Sequence, residues 1–332
     1  MMDMTTFMRN VFIKSGLGKL LWKNRVNGLY CFNFHRIGDW KKTEFDPCVY
    51  SCSEEDLVKY IDLIKSNFRV ISMEELKEIV ATGEPIREPL AMITFDDGYR
   101  DNFDIAFPIL KSAAIPATFF ITTSLIDSGI VPWWDEVAWH IRQLSQDSLR
   151  LAGWNDTVNI TRTENYKNDV RKILKQMKSS SFTVGEQLEQ LREITGKKIA
   201  VTSGDSMFMT WEQLKKITDS GMSIGAHSHS HKIFTELNEE ELDFELSYSK
   251  SLLEEKLGID VCALSYPVGG IDTYDSKMFS KVRSHGYEMA FTFEYFKNKN
   301  ISVNCFRLGR FSVEGAYNEE IFKINCLLAR SL

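Results

Sequence analysis

Two segments of the chain bring together residue types capable of hydrolysis. In Ile93-Thr94-Phe95-Asp96-Asp97-Gly98-Tyr99 an apolar run ends in two carboxylates and a glycine. In His227-Ser228-His229-Ser230-His231, following Ser223-Ile224-Gly225-Ala226, two imidazoles stand four residues apart. One carboxylate and two imidazoles make the three-ligand set of a hydrolytic metal centre, which keeps one position open for water. The spare carboxylate is then placed to take a proton from that water. Such a set suits Zn²⁺ first, and also Co²⁺, Ni²⁺ or Fe²⁺.

The elements that must position these groups alternate between strand and helix. Apolar runs at 29–34, 69–71, 90–95, 116–121, 222–226, 263–266 and 288–293 read as strands. Ser53, Ser72, Thr210 and Asn238 read as helix N-caps between them. A strand–helix pair closes the chain. This alternation predicts a parallel α/β sheet, here barrel-like. In such folds chemistry collects at the carboxyl ends of the strands. Asp96, Asp97, His227, Tyr266-Pro267 and His35 all fall there. Residues 127–207 break the rhythm with a polar stretch, expected to be a mostly helical insertion and not an independent domain. The resulting division is an N-terminal amphipathic segment (1–28), a catalytic domain (29–320) and a C-terminal helix (321–332).

Composition narrows the function classes. Of 332 residues, 43% are hydrophobic and 26% charged, with a net charge of −6. That is a globular chain without the basic excess of a nucleic-acid binder. The six cysteines, at 31, 48, 52, 262, 305 and 326, lack the spacing of a disulfide framework and read as reduced thiols. The N-terminal charges precede no apolar run typical of a signal peptide, and no stretch approaches the ~20 apolar residues of a membrane span. The expected location is therefore the cytoplasm. Residues 7–26 mix Phe, Ile, Leu and Trp with Arg9, Lys14, Lys19, Lys23 and Arg25. This pattern suits either a peripheral membrane contact or a helix packed on its own domain.

With TFDDGYRDNF, GAHSHSH and SYPVGG in this order, the sequence resembles the NodB-homology polysaccharide deacetylases (carbohydrate esterase family 4) over about residues 29–312, excluding the insertion. The resemblance implies a distorted (β/α) barrel and metal-dependent removal of acetyl groups from N-acetylated sugars. Carried over by position, Asp97, His227 and His231 are the metal ligands and Asp96 the general base. Ser228 would then be an outer partner of the ligands, and His229 should point elsewhere. Tyr266-Pro267-Val268-Gly269 matches the loop that walls the acetyl pocket, with the Val268 N–H facing the oxyanion. The arginine that usually precedes this proline is missing. Arg307 and Arg310 are the candidate replacements, Arg310 being preferred for orienting Asp96. A leucine–x–histidine motif is also missing after residue 231. The context of His35 resembles that of circularly permuted members, which makes His35 the expected general acid. Trp133 and Trp134, opening the insertion, are candidates for stacking on a sugar face, while His140 on the same helix reads as structural.

The expected reaction is N-deacetylation of a sugar in a polysaccharide or a lipid-linked glycan precursor. The same residues would also serve an O-acetyl esterase or a deformylase. A sugar-binding module without activity would be free to lose any of the four metal-site residues.

Overall fold

The computed structural model describes residues 17–161, 166–199 and 207–332. The main sheet has eight strands, numbered here β1 (Gly28–Phe34), β2 (Arg69–Val70), β3 (Pro89–Phe95), β4 (Thr118–Ile121), β5 (Ser223–Ala226), β6 (Ala263–Ser265), β7 (Met289–Phe291) and β8 (Arg310–Ser312). Their order is β7-β6-β5-β4-β3-β1-β8, with β2 paired to the start of β3 beneath β4. Every pairing is parallel. A parallel bridge between Phe291 and Leu308, just ahead of β8, brings the two ends of the sheet together. The result is a nearly closed (β/α) barrel. β1 is buried at all seven positions, as a strand covered on both faces must be.

Helices surround the sheet. They are α1 (Leu17–Lys23), α2 (Glu54–Asn67), α3 (Met73–Thr82), α4 (Phe107–Ala113), α5 (Trp133–Gln143), α6 (Tyr166–Lys178), α7 (Val184–Thr195), α8 (Trp211–Asp219), α9 (Glu239–Leu257), α10 (Ser276–Ser284) and α11 (Glu319–Leu328). Ser53, Ser72, Thr210 and Asn238 cap α2, α3, α8 and α9 through their side chains, each satisfying an otherwise orphaned N–H. Ahead of α4, residues 102–106 form a π-helical turn.

Helices α5, α6 and α7, inserted between β4 and β5, gather an apolar cluster of their own around Val137, Ile141, Val170, Ile173 and Leu191. In the N-terminal basic segment, residues before 17 lie outside the described residues. Trp22 of α1 turns inward: its Nε1–H donates to Asn67 Oδ1 at 2.7 Å and its ring meets Phe68 edge-on. Among the described residues no helix is long and apolar enough to cross a membrane.

Candidate active site

Register decides which side chains meet. β1 and β3 run level, with Phe34 opposite Phe95, so His35 and Asp96 emerge side by side at the barrel mouth. β4 and β5 end level at Ile121 and Ala226, which delivers His227 to the same mouth. Asp97 Oδ1 lies 3.5 Å from Nε2 of both His227 and His231. One donor atom from each of the three residues falls within 4.8 Å of the others.

This set fits a divalent cation. Asp97 Oδ1 is buried without a hydrogen-bond partner, a costly state for a polar atom unless something else satisfies it. His227 Nδ1 lies 2.8 Å from the Ser265 carbonyl. A proton on that nitrogen leaves Nε2 as a lone-pair donor facing Asp97. Burial pushes the His227 imidazole down to about 4 and His231 well below its ordinary value, so both rings are neutral near pH 7. Burial, with Asp96 and Asp135 nearby, pushes Asp97 upward, as expected of a carboxylate set without its counter-charge.

Asp96 has a different environment. Arg310, 1% exposed, grips it from below: Nη1–H donates to Oδ1 and Nη2–H to Oδ2, both at 2.7 Å. The other donors of Arg310 go to the Thr292 carbonyl, Asn33 Oδ1 and Ser265 Oγ. With every donor engaged by protein groups, Arg310 holds Asp96, the partner the sequence preferred for it, and leaves no N–H to reach for substrate. Burial opposes the charge on Asp96. The Arg310 guanidinium, followed by His227, outweighs it and holds the carboxyl well below the usual carboxylate range. Arg307, the other candidate, pairs with Glu294 and Tyr274 instead.

His35 Nε2 is 3.9 Å from Asp96 Oδ2. Its backbone is pinned on both sides, with its N–H donating to Ser51 Oγ and its carbonyl accepting from Asn102 in the π-helical turn. Burial lowers the His35 imidazole against the opposing pull of Asp96.

The Tyr266–Gly269 loop walls one side of the same cavity. Tyr266 is a buried wall whose hydroxyl donates to the Phe306 carbonyl. Val268 is 37% exposed, and no hydrogen bond among the described residues occupies its N–H. Gly269 has φ +63° and a Cβ there would sit 2.7 Å from Phe293 N, so only glycine fits. Of the six positive-φ residues other than glycine among the described residues, four stand at this site: Asp97, Ser228, His231 and Val268. Strain of about 1–3 kcal/mol at each such position is tolerated where the surroundings over-determine it.

Trp134 is buried in the cavity wall. Its ring lies 4.8 Å from that of His231 and its Nε1–H donates to the Tyr99 hydroxyl. Trp133 remains half-exposed on the cavity, with the Lys178 ammonium 5.6 Å above it. His229 turns away to Thr123, perpendicular to the stacked rings of Phe244 and Tyr248. His140 is enclosed in the insertion, bonded to Thr195.

Sequence reasoning missed several supports. Asn33 and Thr94 form a polar pair under Asp96, with Asn33 Nδ2–H donating to Oδ2 at 3.2 Å and Thr94 Oγ1–H to Asn33 Oδ1 at 2.6 Å. Their signal was a polar residue in each of two otherwise apolar buried strands. Glu245 on α9 accepts from the backbone N–H groups of His229 and Ser230 at 2.8 Å and from the Ser230 hydroxyl. It clamps the loop between His227 and His231. Ser228 Oγ accepts from His231 N–H within the same loop.

Residues 83–290 match the family described as polysaccharide deacetylase. YxkH of Bacillus subtilis (strain 168), named for the same family, is 20% identical over 229 residues, covering 69% of this chain and 53% of its own. The poly-beta-1,6-N-acetyl-D-glucosamine N-deacetylase of Escherichia coli O157:H7 is 25% identical over 124 residues, 37% of this chain and 18% of that one. The chain thus spans about half or less of the length of these curated relatives. Among solved structures, Streptococcus pyogenes deacetylase PplD in complex with acetate aligns with a TM-score of 0.58 at 15% identity, covering 90% of this chain and 98% of that one. IcaB from Ammonifex degensii aligns at 0.56 and 16%, covering 91% and 97%. At such identities the shared property is the fold.

Proposed function

Since the chain belongs to the polysaccharide deacetylase family, we propose that it is a metal-dependent hydrolase removing the acetyl group from an N-acetylated sugar in a polysaccharide or lipid-linked glycan precursor. The observation carrying this reading is the buried, unpartnered Asp97 Oδ1 facing two neutral imidazoles, beside a second carboxylate locked as an anion by Arg310. Asp97, His227 and His231 would hold the ion. A divalent cation bound there supplies Lewis acidity, polarising an acyl carbonyl and easing deprotonation of water.

The chain's own groups account for the remaining chemistry. Asp96, ionised and fixed by two short charge-assisted bonds, accepts the proton of the attacking water. The Val268 N–H is free to donate to the oxygen on which charge develops, an interaction worth about 3 kcal/mol in comparable sites. His35, its Nε2 3.9 Å from Asp96 Oδ2, is placed to receive the proton that Asp96 takes from water and to hand it on to the departing amine. Trp133 offers the half-exposed ring for the sugar face.

The test is purification followed by metal analysis and acetate release from N-acetylglucosamine oligomers, with and without chelator. Asp96→Asn should retain the metal while losing turnover by a factor of about 10²–10⁴. Absence of both bound metal and acetate release would sink the reading.

A further inference from the structure

The cavity at the barrel mouth measures about 710 Å³, within the roughly 300–1,000 Å³ range that encloses a drug-sized ligand. The metal triad and the Tyr266–Gly269 loop occupy only one part of it. The other part lies between the insertion and the segment after the histidines. Its walls are Leu174, Met177, Phe182 and Val184 on one side and Ile233 and Leu237 on the other. The hydroxyls of the α6–α7 turn do not soften this surface: Ser180 Oγ accepts from Phe182 N–H and Thr183 Oγ1 is engaged with Glu186. Exposed polar groups, the charges of Lys178, Lys232, Glu236 and Glu241 and the hydroxyls of Ser181 and Ser230, share the cavity beside these apolar walls. Against the six apolar walls themselves a sugar ring gains nothing, because hydroxyls stripped of water against aliphatic carbon lose hydrogen bonds without replacement.

We infer that this compartment receives an aliphatic aglycone, so that the substrate is an amphiphilic glycoside whose hydrocarbon begins next to the acetylated sugar. The inference rests on the deacetylase reading above and narrows it. The apolar part belongs on the aglycone and not on the acyl group, because the two occupy different sectors of the mouth. The insertion follows β4 and the Ile233–Leu237 wall follows β5, whereas the acyl loop and Phe293 follow β6 and β7. The insertion thereby becomes a specificity element.

The experiment uses the full chain loaded with zinc and a series of alkyl N-acetyl-β-glucosaminides from methyl to heptyl, kept below micelle-forming concentrations. Each buried methylene is worth up to roughly fourfold in binding, so kcat/KM should rise at least about tenfold across the series. Phe182→Ser and, separately, Leu174→Asn should bring the heptyl-to-methyl ratio towards one. That ratio is internal to each variant and is insensitive to how much of it folds. A ratio near one in the wild-type enzyme overturns the inference. So does a rate that climbs with added sugar rings, or one that follows N-acyl length. Acetate release with a flat alkyl series removes this inference alone; no acetate release from any glycoside, with no zinc bound, removes the deacetylase reading beneath it.

Discussion

Asp96 and Asp97 are neighbours in sequence with opposite surroundings. Both are buried, yet one meets a fully engaged guanidinium and the other two neutral rings. Under the proposed function the guanidinium sets their division of labour: the anion fixed from below is the one suited to act as a base, and the oxygen lacking a partner among the described residues the one suited to hold a cation. Arg310→Gln should therefore lower kcat/KM by about 10²–10⁴, the worth of a positioned base. It should also cost about 3–5 kcal/mol of stability, since Asp96 would remain as an uncompensated buried charge. Steady-state kinetics and thermal melting of the zinc-loaded variant check the two effects separately. A variant with normal kcat/KM would show that Asp96 needs no cation. The carboxylates and histidines were legible because each pair is local in sequence. Arg310 was legible only as one of two candidates, because its contact with Asp96 spans 214 residues and passes through Asn33 and Ser265 on two further strands.

At the scale of elements, the site depends on how loops are anchored to helices. The loop from His227 to His231 contains two positive-φ residues, and Glu245 on α9 holds it by two backbone N–H groups and one hydroxyl. If the proposed metal centre holds, Glu245→Ala should weaken the binding of a divalent ion, probed with zinc, by about 10- to 100-fold, the usual effect of losing an outer partner of metal ligands. Competition with a chromophoric chelator reads this without reference to activity. Unchanged affinity would mean that backbone packing alone sets the loop. None of this was readable beforehand. Glu245 lies in a helix whose sequence shows acids on every side, and only the docking of α9 under the loop distinguishes one of them. Strand identity and order of chemistry, by contrast, were legible, because near-continuous apolar runs ending in polar motifs have few other interpretations.

For the molecule as a whole, the junction between insertion and barrel couples stability to pH. Asp135 on α5 is fully buried, accepting from the Tyr99 hydroxyl and the Asp46 N–H, and Tyr99 in turn accepts from Trp134 against His231. Burial, partly offset by Arg36, raises the Asp135 carboxyl to about 7. An acid raised in the folded state keeps its proton there while the unfolded chain releases it. Stability is therefore complete below the ordinary aspartate range, near 4, and falls as pH rises towards 7. With about 1.4 kcal/mol per pH unit over that window, the loss approaches about 4 kcal/mol. Asp135→Asn carries no such proton, so the stability advantage of wild type over variant should shrink steadily between pH 4 and pH 7 and then level off. Thermal midpoints of the metal-free proteins at pH 4.5, 6 and 8 measure that difference. A difference constant with pH would mean that Arg36 keeps Asp135 ionised throughout, and the insertion would then be fastened to the barrel by charge instead of by a shared proton.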